Sequence, residues 1–123
     1  MADRITDGQS FTSNRNAISP DAIRRFILRN LHKKITVEDM AGEVCLSVSR
    51  FHEVFRDLAG ITPHQFLLQT RLDQAAHLLA TTTLTVSEIS YRTGFSSQSA
   101  LTNALRKYKG TTPSRLQVGE RVA

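Results

Sequence analysis

With one cysteine, Cys45, the chain can form no internal disulfide and assemble no thiolate-rich zinc site. Tryptophan is absent and tyrosine is scarce, which leaves the class of protein open. No apolar run approaches the ~18 residues a bilayer-spanning helix requires. Residues 1–18 lack the apolar stretch of a secretory signal, so a cytoplasmic location is expected. Catalytic patterns are equally thin. His52-Glu53 opens like a zinc-protease His-Glu-x-x-His motif, but Arg56 stands where the second histidine belongs. His32, His52, His64 and His77 share no ligand spacing on one helix face. Cys45 reads as a small buried hydrophobe rather than a nucleophile. No catalytic residue, metal or cofactor is expected, and no enzyme activity.

What the sequence does contain is a duplication. Residues 47–63 align without a gap to residues 97–113, with identity at Ser47/Ser97, Ser49/Ser99, Arg56/Arg106, Gly60/Gly110, Thr62/Thr112 and Pro63/Pro113. Apolar character is kept at Phe51/Leu101, Val54/Ala104 and Phe55/Leu105. Upstream, after a one-residue slip, Thr36-Val37-Glu38-Asp39-Met40 matches Thr85-Val86-Ser87-Glu88-Ile89. A repeat of about 50 residues signals two copies of one supersecondary unit.

Each copy reads as a short helix, a tight turn and a second helix. Thr36/Asp39 and Thr85/Glu88 have capping-box spacing, which starts the first helix of each copy. Those helices bury Val37, Met40, Ala41 and Val44, and then Val86, Ile89 and Ser90. Ala41 and Ser90 are small where two helices must cross closely. Turns follow at Val44-Cys45-Leu46 and Thr93-Gly94-Phe95, with Gly94 free to be left-handed and Cys45 lacking that freedom. Ser47, and Ser96 or Ser97, cap second helices running to about Ala59 and Lys109. Gly-x-Thr-Pro then closes each copy and starts the next helix.

An earlier helix opens at Ser19-Pro20-Asp21 and runs to about His32, with Ile23, Phe26, Ile27 and Leu31 on one face. After Pro63 the apolar pattern predicts a helix to about Ala80, a rod of roughly 27 Å at 1.5 Å per residue. A short helix follows Pro113, to about Val118. No segment alternates as a strand. The expected fold is all-α, about seven helices in two helix-turn-helix subdomains: residues 19–61 and 81–118, joined by a linker helix over 62–80. Residues 1–18 read as a flexible tail, with a recognition-arm role as a minor alternative, and 119–123 as a C-terminal tail.

The formal net charge is +5, and its placement matters more than its size. Residues 19–34 carry five basic side chains against Asp21, a net of +4, and residues 85–118 carry five against Glu88, again +4. Residues 35–61 hold two basic against five acidic side chains, a net of −3. Clustered positive charge attracts polyanions. The second helix of a helix-turn-helix presents its first turns to the DNA major groove while its neighbours grip phosphates. Phe51, Val54, Phe55 and Leu58 form the inner face of the first such helix; Leu101, Ala104, Leu105 and Tyr108 form that of the second. Outward or flanking lie Val48, Ser49, Arg50, His52, Glu53 and Arg56, and then Gln98, Ser99, Ala100, Thr102, Asn103, Arg106 and Lys107.

Base-reading candidates are therefore Ser49, Arg50, His52, Glu53, Gln98, Ser99, Ala100, Thr102 and Asn103. Gln98 and Asn103 suit adenine edges, Ala100 and Thr102 a thymine methyl, Arg50 or His52 guanine, and Glu53 cytosine N4. Phosphate candidates are Ser47, Arg56, Ser97, Arg106, Lys107, Lys109 and Arg115. On the connecting helix, Arg71 and Asp73 are expected in local ion pairs, with a phosphate contact by Arg71 as an alternative.

Thr62-Pro63, Phe66-Leu67, Arg71-Leu72, Ala75, Leu78-Leu79, Val86, Ile89, Gly94-Phe95, Ser99, Gly110 and Thr112-Pro113 follow one another at a spacing that resembles the DNA-binding domain of the AraC/XylS transcription regulators. The resemblance covers about Pro20 to Gln117. It implies two helix-turn-helix subdomains, a connecting helix, binding to two successive major grooves of double-stranded promoter DNA, recruitment of RNA polymerase, and activation. The chain departs from the family at Glu53 and Asn103, where arginine is frequent, and at Leu101, Leu105 and Leu116, where aromatic residues are usual. No segment suits the sensor domain most members carry, so the expectation is a short stand-alone form or a truncation, acting as a monomer on DNA and controlled by abundance or by a partner. The rival reading is a helical interaction protein that binds another regulator or polymerase and reads DNA weakly.

Overall fold

Capping side chains set where the helices begin. A computed structural model of the chain describes residues 19–117, which form seven helices and no strand. These are α1 (Pro20–Arg29), α2 (Val37–Glu43), α3 (Val48–Ala59), α4 (Pro63–Thr81), α5 (Val86–Arg92), α6 (Gln98–Lys109) and α7 (Pro113–Leu116). The expectations for residues 1–18 and from Val118 onward lie outside the described residues.

The described residues fall into two compact units. The first holds those up to Arg29 together with Ile35–Leu67; the second holds Asn30–Lys34 and those from Leu68 onward. The long helix α4 is continuous, its first five residues belonging with the first unit and the rest with the second.

In the first unit, Thr36 closes a full capping box: its hydroxyl accepts from the Asp39 N–H at 3.0 Å, and its own N–H donates to the Asp39 carboxylate at 2.9 Å. Thr62 and Gln65 form a second box at the start of α4. The core is built from Ile23, Ile27, Ile35, Val37, Met40, Ala41, Val44, Phe51, Phe55, Phe66 and Leu67. Phe55 lies 5.5 Å from Phe51 and 5.1 Å, edge-on, from Phe66, ring to ring. Each such pair adds about 1 kcal/mol to the burial itself.

The second unit is built around Leu72, Ala75, Leu79, Ile89, Leu101 and Leu105, with Leu68, Leu78, Leu84, Val86, Phe95, Ala104 and Leu116 packed against them. Ser90 and Thr93 are buried, and each hydroxyl donates to the carbonyl four residues earlier, Val86 and Ile89. Small polar side chains are thereby tolerated in the core without orphaned groups.

Several expectations need correction. Helix α1 stops at Arg29 instead of about His32, and the carbonyls of Leu31 and Lys33 beyond its end accept from the Arg71 guanidinium. Arg71 is buried and, among the described residues, makes no local ion pair. It donates to the main-chain oxygens of Leu31, Lys33 and Thr93, and burial lowers its pKa from the ordinary value. Asp73 instead reaches Lys109 of α6, at 2.6 Å. The box at Thr85 is half formed: its hydroxyl accepts from the Glu88 N–H, but the Glu88 carboxylate is held by Arg92 at 2.9 Å. Val86 is half-buried.

Cys45 is exposed, not buried, and sits at φ 59°, the one non-glycine residue with positive φ among those described. The core place in that turn goes to Val44. Leu58 and Tyr108, equivalent in the repeat and assigned to the inner faces, are 50% and 53% exposed. Each lies in the last turn of its twelve-residue helix, beyond the fully buried pair Phe51 and Phe55 or Leu101 and Leu105.

Candidate nucleic-acid interface

Both second helices are built alike. Ser47 accepts from the Arg50 N–H at 3.2 Å and Ser97 from the Ala100 N–H at 3.1 Å, fixing where α3 and α6 start. Phe51 with Phe55, and Leu101 with Leu105, anchor the inner faces as fully buried pairs. Helix α2 packs on α3 within the first unit and α5 on α6 within the second, with buried Ala41 and Ser90 on the shorter helices.

The turns are also equivalent. The Leu46 N–H donates to the Ala41 carbonyl at 3.0 Å, and the Phe95 N–H to the Ser90 carbonyl at 2.9 Å. These pairs are spaced by 49, whereas the caps are spaced by 50. The slip noticed in the sequence is therefore located: Ser96 is an extra residue between the second turn and its cap. Gly94, at φ 84°, has the left-handed conformation that Cys45 adopts in the first copy.

Ser47, Ser49, Arg50, Glu53 and Arg56 are exposed on α3 and at its cap, and His52 is half-buried. Arg50 and Glu53 are not independent: the guanidinium donates to the carboxylate at 2.8 Å. On α6 and at its cap, Ser97, Gln98, Ser99, Asn103, Arg106 and Lys107 are exposed, while Ala100 and Thr102 are half-buried. The Lys107 ammonium lies 5.1 Å from the Tyr108 ring centre, and Lys109 is held by Asp73. Arg115 is exposed on α7. Each unit thus gathers its candidates on one capped helix, with Arg115 alone standing apart on α7, but two of them, Arg50 and Lys109, already have an acid partner.

Sequence reasoning missed the structural use of Arg71. The signal was present: Leu67, Arg71 and Ala75 recur every four residues, which puts the arginine on the buried stripe of α4. Among the described residues, no helix is long and apolar enough to cross a membrane, and no three His, Cys, Asp or Glu side chains group as metal ligands would.

Residues 40–118 match the helix-turn-helix domain family. The chain is similar to the probable transcriptional regulator LumQ of Photobacterium leiognathi, 39% identical over 95 residues that make up 77% of this chain and 38% of that protein. It is also similar to the virulence regulon transcriptional activator VirF of Yersinia enterocolitica, 28% identical over 98 residues, 80% of this chain and 36% of VirF. The chain therefore spans less than two fifths of the length of these relatives. The DNA-binding domain of the global transcriptional factor AdpA, solved in complex with a target DNA, superposes with a TM-score of 0.73 at 32% identity, covering 84% of this chain and 93% of that one. A repeated, capped helix-turn-helix and these likenesses lead to one assignment: the chain belongs to the AraC/XylS family of DNA-binding transcription regulators, whose fold and members are not those of enzymes.

Proposed function

We propose that the chain is a sequence-specific reader of double-stranded DNA that inserts α3 and α6 into successive major grooves of an asymmetric promoter site and activates transcription. The observation that carries this reading is the pair of capped helices, each with a buried apolar back and a polar front, whose fronts differ. Different fronts read different bases, so the two half-sites differ and one protomer suffices. Ser49, Arg50, His52 and Glu53 face bases from the first unit; Gln98, Ser99, Ala100, Thr102 and Asn103 do so from the second. Ser47, Arg56, Ser97, Arg106, Lys107, Lys109 and Arg115 grip phosphates.

Three further points complete the proposal. RNA polymerase is the protein partner, in keeping with the family and with VirF, which is an activator. The site of action is the cytoplasm, where the target DNA lies. The residues 19–61, 62–80 and 81–118 act as reader, connector and reader.

Selection of bound fragments from random double-stranded DNA, followed by footprinting, tests the reading. The expected result is an asymmetric sequence, protected over two major grooves about 34 Å apart, bound by one chain. A palindromic footprint that requires a dimer contradicts the monomer reading. Failure to enrich any sequence at either low or moderate salt moves the assignment toward an interaction protein.

A further inference from the structure

Arg50 and Glu53 are the third and sixth residues of α3, one turn apart on its outward side, and their charged groups meet at 2.8 Å although both remain largely exposed, 62% and 67%. We propose that they act as one reading element for a single G·C base pair, Arg50 donating to the guanine and Glu53 accepting from the N4 amino group of the paired cytosine. The inference rests on α3 entering a major groove, as argued above.

The hydrogen-bonding order supports it. Across its major-groove edge a G·C pair presents two acceptors, N7 and O6 of guanine, and then a donor, N4–H of cytosine. The side-chain pair presents the complement, a donor fork followed by an acceptor. Arg50 spends one guanidinium nitrogen, Nη1, on Glu53 and has other N–H groups to offer; Glu53 uses one oxygen, Oε1, and keeps the second. The start of the element is fixed as well, since the Arg50 main-chain N–H is held by the Ser47 hydroxyl. An A·T pair offers acceptor, donor, acceptor, so an Arg50 donor would face the adenine amino group and the Glu53 carboxylate would face thymine O4. Both contacts turn repulsive.

Charge supports it too. A lone carboxylate on a groove-entering helix is repelled by phosphates, whereas a carboxylate paired with a guanidinium adds no net charge. Helix α6 has Ala100 and Asn103 at the equivalent positions and cannot form the element. The two readers therefore need different base pairs.

The test uses the full chain and its Arg50→Ala, Glu53→Ala, Glu53→Gln and doubly substituted Arg50→Ala/Glu53→Ala variants, with circular dichroism as a check on folding. Sites are selected from random duplex DNA with the unsubstituted chain, and each position is then exchanged in competition binding. The expected result is one G·C position whose exchange to A·T costs between about 5-fold and about 150-fold. Each alanine variant should lose most of that preference at that same position while preferences elsewhere in the site persist, and Glu53→Gln, whose amide oxygen still accepts, should keep part of it. The double variant should discriminate no worse there than either single one. The proposal is overturned if Glu53→Ala alters no position, alters a different one from Arg50→Ala, or tightens binding to all sequences alike, which would make Glu53 a mere repellent of phosphate. Enriched sites insensitive to both residues overturn the paired reader alone. A chain that enriches no sequence overturns the DNA-reading function along with it.

Discussion

The guanidinium of Arg71 occupies the space that a Cβ on Gly94 would need, and the Leu31 carbonyl that it binds is 2.5 Å from the same point. Gly94 is thus required twice, by φ 84° and by the approach of a buried charge. Cys45 has the same backbone handedness at φ 59° but is exposed. The contrast predicts opposite outcomes for two substitutions. Gly94→Ala should destabilise by about 2 kcal/mol or more, combining left-handed strain with displacement of Arg71. Cys45→Gly should be neutral or stabilise by about 0.5 kcal/mol, as relief of strain slightly exceeds the added freedom of the unfolded chain. Urea denaturation of both variants measures the difference, and equal losses would contradict it.

Arg71 itself should be the most sensitive polar position of the second unit. It satisfies the carbonyls of Leu31, Lys33 and Thr93 from a buried site and holds Asn30–Lys34 in that unit. Arg71→Met keeps the apolar stem but abandons three acceptors, at an expected cost of about 3 kcal/mol or more. Amide exchange in residues 30–34 should quicken together with the fall in the denaturation midpoint. Loss of DNA binding with unchanged stability would instead revive a phosphate contact for this residue.

Much of the fold was legible because its signals are local. Thr36 with Asp39, Ser47, Thr62-Pro63, Ser97 and Thr112-Pro113 act within four residues of where they stand, so helix starts follow from the sequence alone. Helix α3 and helix α6 end where Gly60 and Gly110 predicted. What escaped depends on the reach of neighbouring elements. The apolar period places Leu58 and Tyr108 inward, but in the last turns of α3 and α6 no neighbouring element covers them, and both are exposed. Pairing of Asp73 with Lys109 joins positions 36 apart, and Arg71 chooses carbonyls over nearby acids. The candidate readers were legible as a set. Their coupling was not, because Arg50 and Glu53 could each have turned to solvent.

Salt dependence should separate the phosphate candidates of α6. Arg106 and Lys107 are exposed, whereas Lys109 sits 2.6 Å from the Asp73 carboxylate. Arg106→Ala and Lys107→Ala should each weaken binding to all sequences and reduce the slope of log K against log salt by about 0.9. Lys109→Ala should change the slope less, and Asp73→Asn, which frees the ammonium, should raise affinity for random DNA. Titrations across several salt concentrations read these slopes directly. Equal slopes for all four variants would mean that α6 does not approach the phosphates.

Specificity in the second unit should rest on Gln98 and Asn103, both exposed on the outward side of α6. Each side-chain amide carries a donor and an acceptor, the complement of adenine N6 and N7. Gln98 is the first residue of α6, directly after the Ser97 hydroxyl that accepts from the Ala100 N–H and fixes where the helix starts. Gln98→Ala and Asn103→Ala should each cost about 1–3 kcal/mol at one base pair, and much less on non-specific DNA. The two positions affected should be different, and an A·T pair should be preferred at both. Competition binding against singly exchanged sites measures each preference. A uniform loss over all sequences would reassign these residues to the phosphate backbone, because a side chain that reads no base edge cannot tell one site from another.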